Sequence, residues 1–195
     1  LHTHYASANR GACIQNCRRR YIVKDKDEDI EYEVDNEYIM SAKDLCTIEF
    51  IDKILDAGVS ILKIEGRGRS EDYVYTTVKC YHEAIQAVEK REFSEVKVAG
   101  WKSQLATVYN RGFWDGYYLG KKMGEWSNEY GSKANKKRIY LGKGLNYFSK
   151  LRVGEFLMES HSLEVGDEIL ISGPTTGVIR DQVTEIRIEN LSLKN

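Results

Sequence analysis

The sequence predicts an α/β portion followed by a small all-β portion, and three observations carry that prediction. From Ser41 to Val88, short β-rich runs alternate with stretches whose apolar residues recur every three or four positions. Around Glu125–Lys137 the chain turns polar, with Asn128, Gly131, Ser132 and Asn135 close together. Beyond that point the apolar period changes to two, the spacing of half-buried strands.

Residues 1–20 show neither period and are read as an ordered loop. Tyr21–Val23 and Ile30–Val34 flank a charged turn, Lys24–Asp29, and form a plausible hairpin. Glu37–Met40 reads as a short strand leading into Ser41-Ala42-Lys43-Asp44, the Ser-x-x-Asp pattern of a helix start. The expected helix carries Leu45, Ile48, Ile51 and Leu55 on one face and stops at Gly58, a residue free to take the left-handed conformation. Val59–Ile64 is a predicted strand, followed by the glycine-rich turn Glu65-Gly66-Arg67-Gly68-Arg69. Ser70, Glu71 and Asp72 place a cap and two acids at the positive end of the next helix, whose stripe is Val74, Val78, Tyr81, Ile85 and Val88. A further helix is expected over roughly Ser94–Asn110, then the aromatic segment Phe113–Tyr118.

Strand–helix–strand–helix is the repeating unit of a parallel sheet or barrel. Two such units are too few to close a barrel, so a TIM-like (β/α) barrel would be represented here by its C-terminal part. The expected domains are residues 1–125, a linker at 126–137, and 138–195. In the last, Arg138–Gly142, Val153–Met158, Glu168–Ile171 and Thr184–Ile188 read as strands. Val165-Gly166-Asp167 and Gly173-Pro174-Thr175-Thr176-Gly177 read as turns, which together argue a small antiparallel β-barrel.

With 42% hydrophobic and 30% charged residues in 195, the chain is globular in composition, not disordered. A formal net charge of −1 gives no global basic field. DNA binding is therefore not indicated, and any RNA contact must come from local patches. No membrane-length apolar run occurs. The start, Leu1-His2-Thr3-His4-Tyr5, has no apolar central region of a signal peptide and no initiator Met. The expectation is a cytoplasmic chain that begins inside a longer protein. Cys13, Cys17, Cys46 and Cys80 are too few for a disulfide scaffold of this size.

Cys13 and Cys17 lie in a polar loop flanked by Arg10, Arg18, Arg19 and Arg20. Neighbouring cations favour thiolate, the form that binds metal or attacks an electrophile. Cys46 falls in the first turn of the helix expected from Ser41, where the macrodipole acts the same way; packing as a small apolar residue is the competing reading. Cys80 lies beside an apolar stripe and is read as core. A zinc site from His2, His4, Cys13 and Cys17 lacks the two-residue gap of zinc knuckles. Three thiolates suit an iron–sulfur cluster whose fourth ligand comes from upstream. Lys63 and Glu65 end the predicted strand on the face opposite Leu62 and Ile64, where barrel enzymes place catalytic groups; an interior ion pair is the alternative. Arg67, Arg69 and the following helix start make an anion site, against the alternative of solvated arginines. The Arg18–Arg20 run offers further phosphate contacts or simply a solvated surface. No Ser/His/Asp order and no HExxH helix supports a protease mechanism.

Three segments in order, Asn9-Arg10-Gly11-Ala12-Cys13-Ile14-Gln15-Asn16-Cys17-Arg18-Arg19-Arg20-Tyr21, Tyr38-Ile39-Met40-Ser41-Ala42-Lys43-Asp44-Leu45-Cys46 and Leu62-Lys63-Ile64-Glu65-Gly66-Arg67, resemble landmarks of the peptidase U32, or collagenase-like, family. Gly154-Glu155-Phe156 through Gly177 is similar to its C-terminal β-barrel, a module like domain 2 of elongation factors. Asn16 stands where many relatives have proline. The resemblance implies an α/β barrel that starts upstream, and either of two activities. One is proteolysis, as the family name says. The other is oxygen-independent hydroxylation of a tRNA wobble uridine (with prephenate as co-substrate), of a ribosomal RNA cytidine or of ubiquinone precursors. It implies a 4Fe–4S cluster held by four cysteines, with Cys13 and Cys46 as ligands, Cys17 as a ligand in another branch, and the rest upstream of this chain. The partners it implies are tRNA or another RNA and a protein partner subunit. A non-catalytic RNA-binding module is the third reading.

Overall fold

The computed structural model describes residues 14–28, 30–32, 38–188 and 191–192. By the density of its internal contacts the chain divides into two units, Leu1–Arg67 with Thr76–Asn135, and Gly68–Tyr75 with Lys136–Asn195. Mixed helices and small, mostly antiparallel sheets make up the architecture, an α/β portion plus a β portion.

In the first unit, β1 (Val23–Lys24) and β2 (Glu31–Tyr32) pair antiparallel as the expected hairpin, with Val23 opposite Tyr32. The helix expected at Ser41 starts later. Ser41 is instead buried on a bridged segment: its carbonyl accepts the Ser127 amide at 2.7 Å, and Ala42 bridges Trp126. Next comes β3 (Asp44–Leu45), which runs parallel to β4 (Phe113–Trp114). A 3-10 turn, Ile48–Phe50, leads into α1 (Ile51–Asp56). The chain leaves α1 through Gly58 at φ +86°, whose amide reaches the Leu55 carbonyl at 2.9 Å, as expected of a glycine past a helix end.

Residues 59–64 form no ladder with any described residue. Burial still alternates there, with Ile61, Lys63 and Glu65 exposed and Leu62 and Ile64 half-buried. The strand predicted over 59–64 is thus not formed as a paired strand among the described residues. Glu37–Met40 is likewise no strand over its described part: Ile39 and Met40 lie in a turn closed by the Ser41 amide on the Tyr38 carbonyl.

The core is built by α2 (Glu71–Glu89) and α3 (Glu95–Leu105). Ser70 caps α2, its hydroxyl and carbonyl receiving the amides of Tyr73 and Val74; Ser94 caps α3 through the Lys97 amide. The buried face of α2 is Thr76, Thr77, Cys80, Ala84 and Ala87, one position off the predicted stripe, so Val74 and Val78 are exposed. Small side chains on that face leave room for Trp101 of α3, which packs with Cys80, Ala84, Ala87, Val98 and Leu105 and with Cys46, Ile48 and Ile51. Cys80, fully buried, is a core residue as predicted. The stretch after β4 is tied to this unit through Lys133 to Asn110 and Asn135 to Ala106, both backbone bonds.

In the second unit, β5 (Gly142–Phe148) pairs with β6 (Val153–Met158), and β7 (Glu168–Gly173) with β8 (Gly177–Gln182). β9 (Arg187–Ile188) pairs with β10 (Leu191–Ser192), and all three pairs are antiparallel. The β7–β8 hairpin turns over Pro174-Thr175-Thr176 and closes at Gly177, whose φ of +68° is the left-handed position such a turn demands. Each sheet has two strands, so the closed barrel expected from the sequence is not formed by the described residues. Asp72 in the first turn of α2 accepts the Arg180 guanidinium, with Nε at 3.1 Å. No described helix is long and apolar enough to cross a membrane.

Candidate functional site

Cys46 follows β3 directly, at the carboxyl end of a parallel strand. In sheets and barrels of this class, functional groups collect at that end because the strand fixes them while the next segment is free to vary. The Cys46 amide is anchored on the Trp114 carbonyl at 2.9 Å, so β4 sets where the side chain starts. The residue is only 5% exposed. Burial pushes its thiol pKa up, while hydrogen bonds to the sulfur from the Ile48 amide and the Tyr81 hydroxyl pull the other way. Tyr81 Oη lies 3.9 Å from Sγ, accepts the Thr47 amide at 2.9 Å and lies 3.2 Å from Thr47 Oγ1. Its own pKa is raised, first by burial and then by Cys46.

This setting corrects the expectation for Cys46. No helix starts at Ser41, so no macrodipole acts on the thiol in the way predicted. The donors that meet the sulfur are instead an amide of the 3-10 turn and a phenol delivered by α2 from 35 residues away. Tyr81 was visible in the sequence only as a member of an apolar stripe. Nothing local signals that its hydroxyl meets a sulfur.

Cys17 is a free, half-buried thiol in the 3-10 turn Asn16–Arg18. Its neighbour Arg18 reaches Ser41 Oγ and the Ala42 carbonyl, each at 2.9 Å. Arg18 therefore ties the Cys17 loop to the leading end of β3, whereas Cys46 leaves the other end. Cys46 is four residues on from Ala42 through β3, a span on the order of 13 Å if extended. Cys13, His2 and His4 lie outside the described residues. Among those described, no three His, Cys, Asp or Glu side chains come together to hold a metal ion.

Lys63 and Glu65 are both exposed, and Glu65 accepts the Arg67 amide at 2.9 Å. Arg67 is exposed, and Arg69 stacks over Tyr73 with its guanidinium 5.3 Å from the ring centroid. Arg111 escaped the sequence reading. Its amide and Nη1 both bind Asp44, at 3.0 and 3.1 Å, and its guanidinium lies over Tyr109.

A thiol seated after a parallel strand, within the first of two units, leaves the chemistry open; comparison with known proteins narrows it. The family model described as "Peptidase family U32" matches residues 2–128. The chain belongs to that family. A protein named collagenase from Porphyromonas gingivalis is 59% identical over 189 residues, 97% of this chain and 46% of that protein. An uncharacterized protease of Methanocaldococcus jannaschii is 36% identical over 94% of the chain and 46% of its own length. The tRNA hydroxylation protein P1 of Bacillus subtilis is 32% identical over 86% of the chain and 40% of its own. The U32 chain thus spans about half the length of the curated relatives it matches. No solved structure matches it.

Proposed function

We propose that the full-length protein is a tRNA hydroxylation factor acting on a wobble uridine, with Cys13, Cys17 and Cys46 supplying thiolates to a 4Fe–4S cluster. The carrying observation is the sulfur of Cys46. It sits at the carboxyl end of β3, and both an amide and a phenol hydroxyl aim hydrogen bonds at it. Such bonds stabilise a metal-bound thiolate and tune the potential of the group it holds. Two thiols among the described residues fit such a group only as part of a larger set, which on this reading Cys13 and the rest of the full-length protein complete. When bound, the cluster supplies one-electron chemistry. Lys63, Glu65, Arg67, Arg69 and Arg18 are proposed to contact the substrate side. The α/β portion is taken as the closing part of a β/α barrel, on the strength of the parallel β3–β4 pair. The β portion is taken as an elongation-factor-like barrel that docks RNA in the cytoplasm.

Full-length protein purified without oxygen is expected to carry iron and sulfide, with visible absorption lost in Cys46→Ala. Colourless, iron-free protein that still supports hydroxylation would refute the reading.

The names of the collagenase relatives favour a second reading, a peptidase. Among the described residues its best candidate is the contact of Ser160 Oγ with His161 Nδ1 at 2.5 Å, in an exposed turn. Among the described residues no acidic side chain orients that imidazole, which a hydrolytic triad requires. This reading predicts cleavage of denatured collagen by purified protein that a single nucleophile substitution abolishes. Cleavage persisting in every such variant identifies a contaminant.

A further inference from the structure

At the leading end of the β3–β4 pair, two guanidinium groups are held on neighbouring residues of one segment. Arg111 is only 12% exposed and spends Nη1 and its amide on Asp44. Arg18 spends Nη1 on Ser41 and Ala42. Neither Nε nor Nη2 of either residue meets a hydrogen-bond partner among the described residues. Both contacts of Arg18 are to neutral groups, so among the described residues its charge has no ion-pair partner. Ala42 and Asp44, which hold the two guanidiniums, lie two residues apart on one segment, so the two cations are near neighbours. The Lys43 and Lys133 stems converge beside Gly112, each about 3.7 Å from where a Cβ on that glycine would stand, and add positive potential. Lys43 is neutralised by Glu125 at 2.7 Å, which leaves the arginine pair as the group with surplus charge and surplus donors.

We propose that Arg18 and Arg111 together form a binding site for a phosphate group. A guanidinium presents its donors as a planar fork that matches phosphate oxygens, and the two forks here have donors left to give. A bound phosphate replaces the repulsion between the two cations with two attractive contacts. The site lies at the leading end of the β3–β4 pair, beside the Cys17 loop. It deepens the RNA reading only in that Arg18 already belongs to the proposed substrate side, and Arg111 is new. The phosphate comes either from an RNA backbone or from a small phosphate-bearing molecule.

The test uses the full chain and two conservative variants, Arg18→Gln and Arg111→Lys. Arg111→Lys keeps the ion pair with Asp44 while losing the fork, and circular dichroism verifies that each variant folds. If one does not fold, the other carries the test alone. Inorganic phosphate binding, followed by ³¹P line broadening, is expected to weaken about five- to tenfold in each variant, the factor for one lost charge-assisted contact. A tRNA anticodon stem-loop is titrated in parallel across salt concentrations. If the source is RNA, the slope of log affinity against log salt falls by about 0.7–0.9 in Arg18→Gln, which removes a charge, and stays near wild type in Arg111→Lys, which keeps it. If the source is a small molecule, phosphate binding weakens and the RNA slope stays unchanged. Equal phosphate binding in wild type and variants, or none in the wild type at millimolar phosphate, overturns the proposal. Iron content plays no part in these readings, so their failure leaves the cluster reading standing, and the reverse holds.

Discussion

Replacing Tyr81 by Phe removes one oxygen atom and three contacts. Thr47 loses the acceptor for its amide at 2.9 Å, its hydroxyl loses a neighbour at 3.2 Å, and Cys46 loses a donor at 3.9 Å. The first contact dominates. A typical intramolecular hydrogen bond contributes a net ~1 kcal/mol, and an amide left unsatisfied in the interior costs about 1–3 kcal/mol. Thr47 is half-buried, so water recovers part of that loss and the expected cost is about 1–2 kcal/mol. The sulfur contact lies at the long limit for a hydrogen bond and adds little in metal-free protein. Urea denaturation followed by circular dichroism measures the change, with Thr47→Ala as control. That control keeps the amide bond to Tyr81 and loses only the hydroxyl contact, so it is expected to cost less. A Tyr81→Phe cost within about 0.5 kcal/mol of zero, the reach of a neutral surface change, would show that the phenol is not holding this turn. If the protein holds the proposed cluster, the same substitution is expected to lower its reduction potential, because a hydroxyl aimed at the sulfur favours the more negative state.

The Glu125 carboxyl is held at about 2, well below its ordinary 4.5, by hydrogen bonds from Lys121 and then Lys43. A depressed folded pKa contributes stability that is complete above 4.5 and disappears as pH falls toward 2. Glu125→Gln is therefore expected to flatten the stability–pH curve across that window, and a curve identical to wild type refutes the assignment. In metal-free native protein, iodoacetamide should label Cys17 and spare the buried Cys46 and Cys80 until urea is added, as read by peptide mass spectrometry. A Cβ at Gly142 would stand 1.9 Å from the Leu157 carbonyl oxygen, so Gly142→Ala should part β5 from β6 at a cost of about 1–3 kcal/mol. Faster hydrogen exchange at their shared amides reports it. Gly144→Ala, whose new Cβ meets only the Phe156 ring at 3.6 Å, is the matched control.

What the sequence made legible was whatever depends on near neighbours. Ser70, Ser94 and Gly58 cap or end helices where local chemistry says they should, because a cap is decided within four residues. The hairpin between Val23 and Tyr32 and the strand Val153–Met158 are similarly local. Ser41 shows the limit. Its Ser-x-x-Asp spacing is that of a helix start, yet the residue is captured by Ser127 and Arg18, and Asp44 by Arg111. Those partners lie 23 to 86 residues away in sequence, beyond any local pattern. The stripe on α2 failed for a related reason. Val74 and Val78 are the more hydrophobic residues, but the bulk of Trp101 selects the small face, Cys80, Ala84 and Ala87. Strand β8 was missed because Gly177-Val178-Ile179-Arg180-Asp181-Gln182 puts its charges where alternation would want apolar residues, and its register comes from β7.

Cys46 also bears on the choice between the two chemistries associated with this family. A nucleophilic thiol has to be ionised, reachable by a scissile carbonyl and paired with a base. Cys46 has the opposite setting: buried, its pKa pushed up by that burial, with a phenol as its side-chain partner. For a metal ligand the same features are favourable. Coordination displaces the proton regardless of the free thiol's pKa, the metal supplies the missing cation, and burial keeps water from the bond. The amide of Ile48 and the hydroxyl of Tyr81 then have a thiolate to stabilise, which a neutral thiol uses poorly. A substitution that abolished collagen cleavage by acting at Cys46 would have to unbury it first. The peptidase reading therefore needs its nucleophile elsewhere, whereas the ligand reading can use this sulfur as it stands, together with thiolates from the rest of the full-length protein.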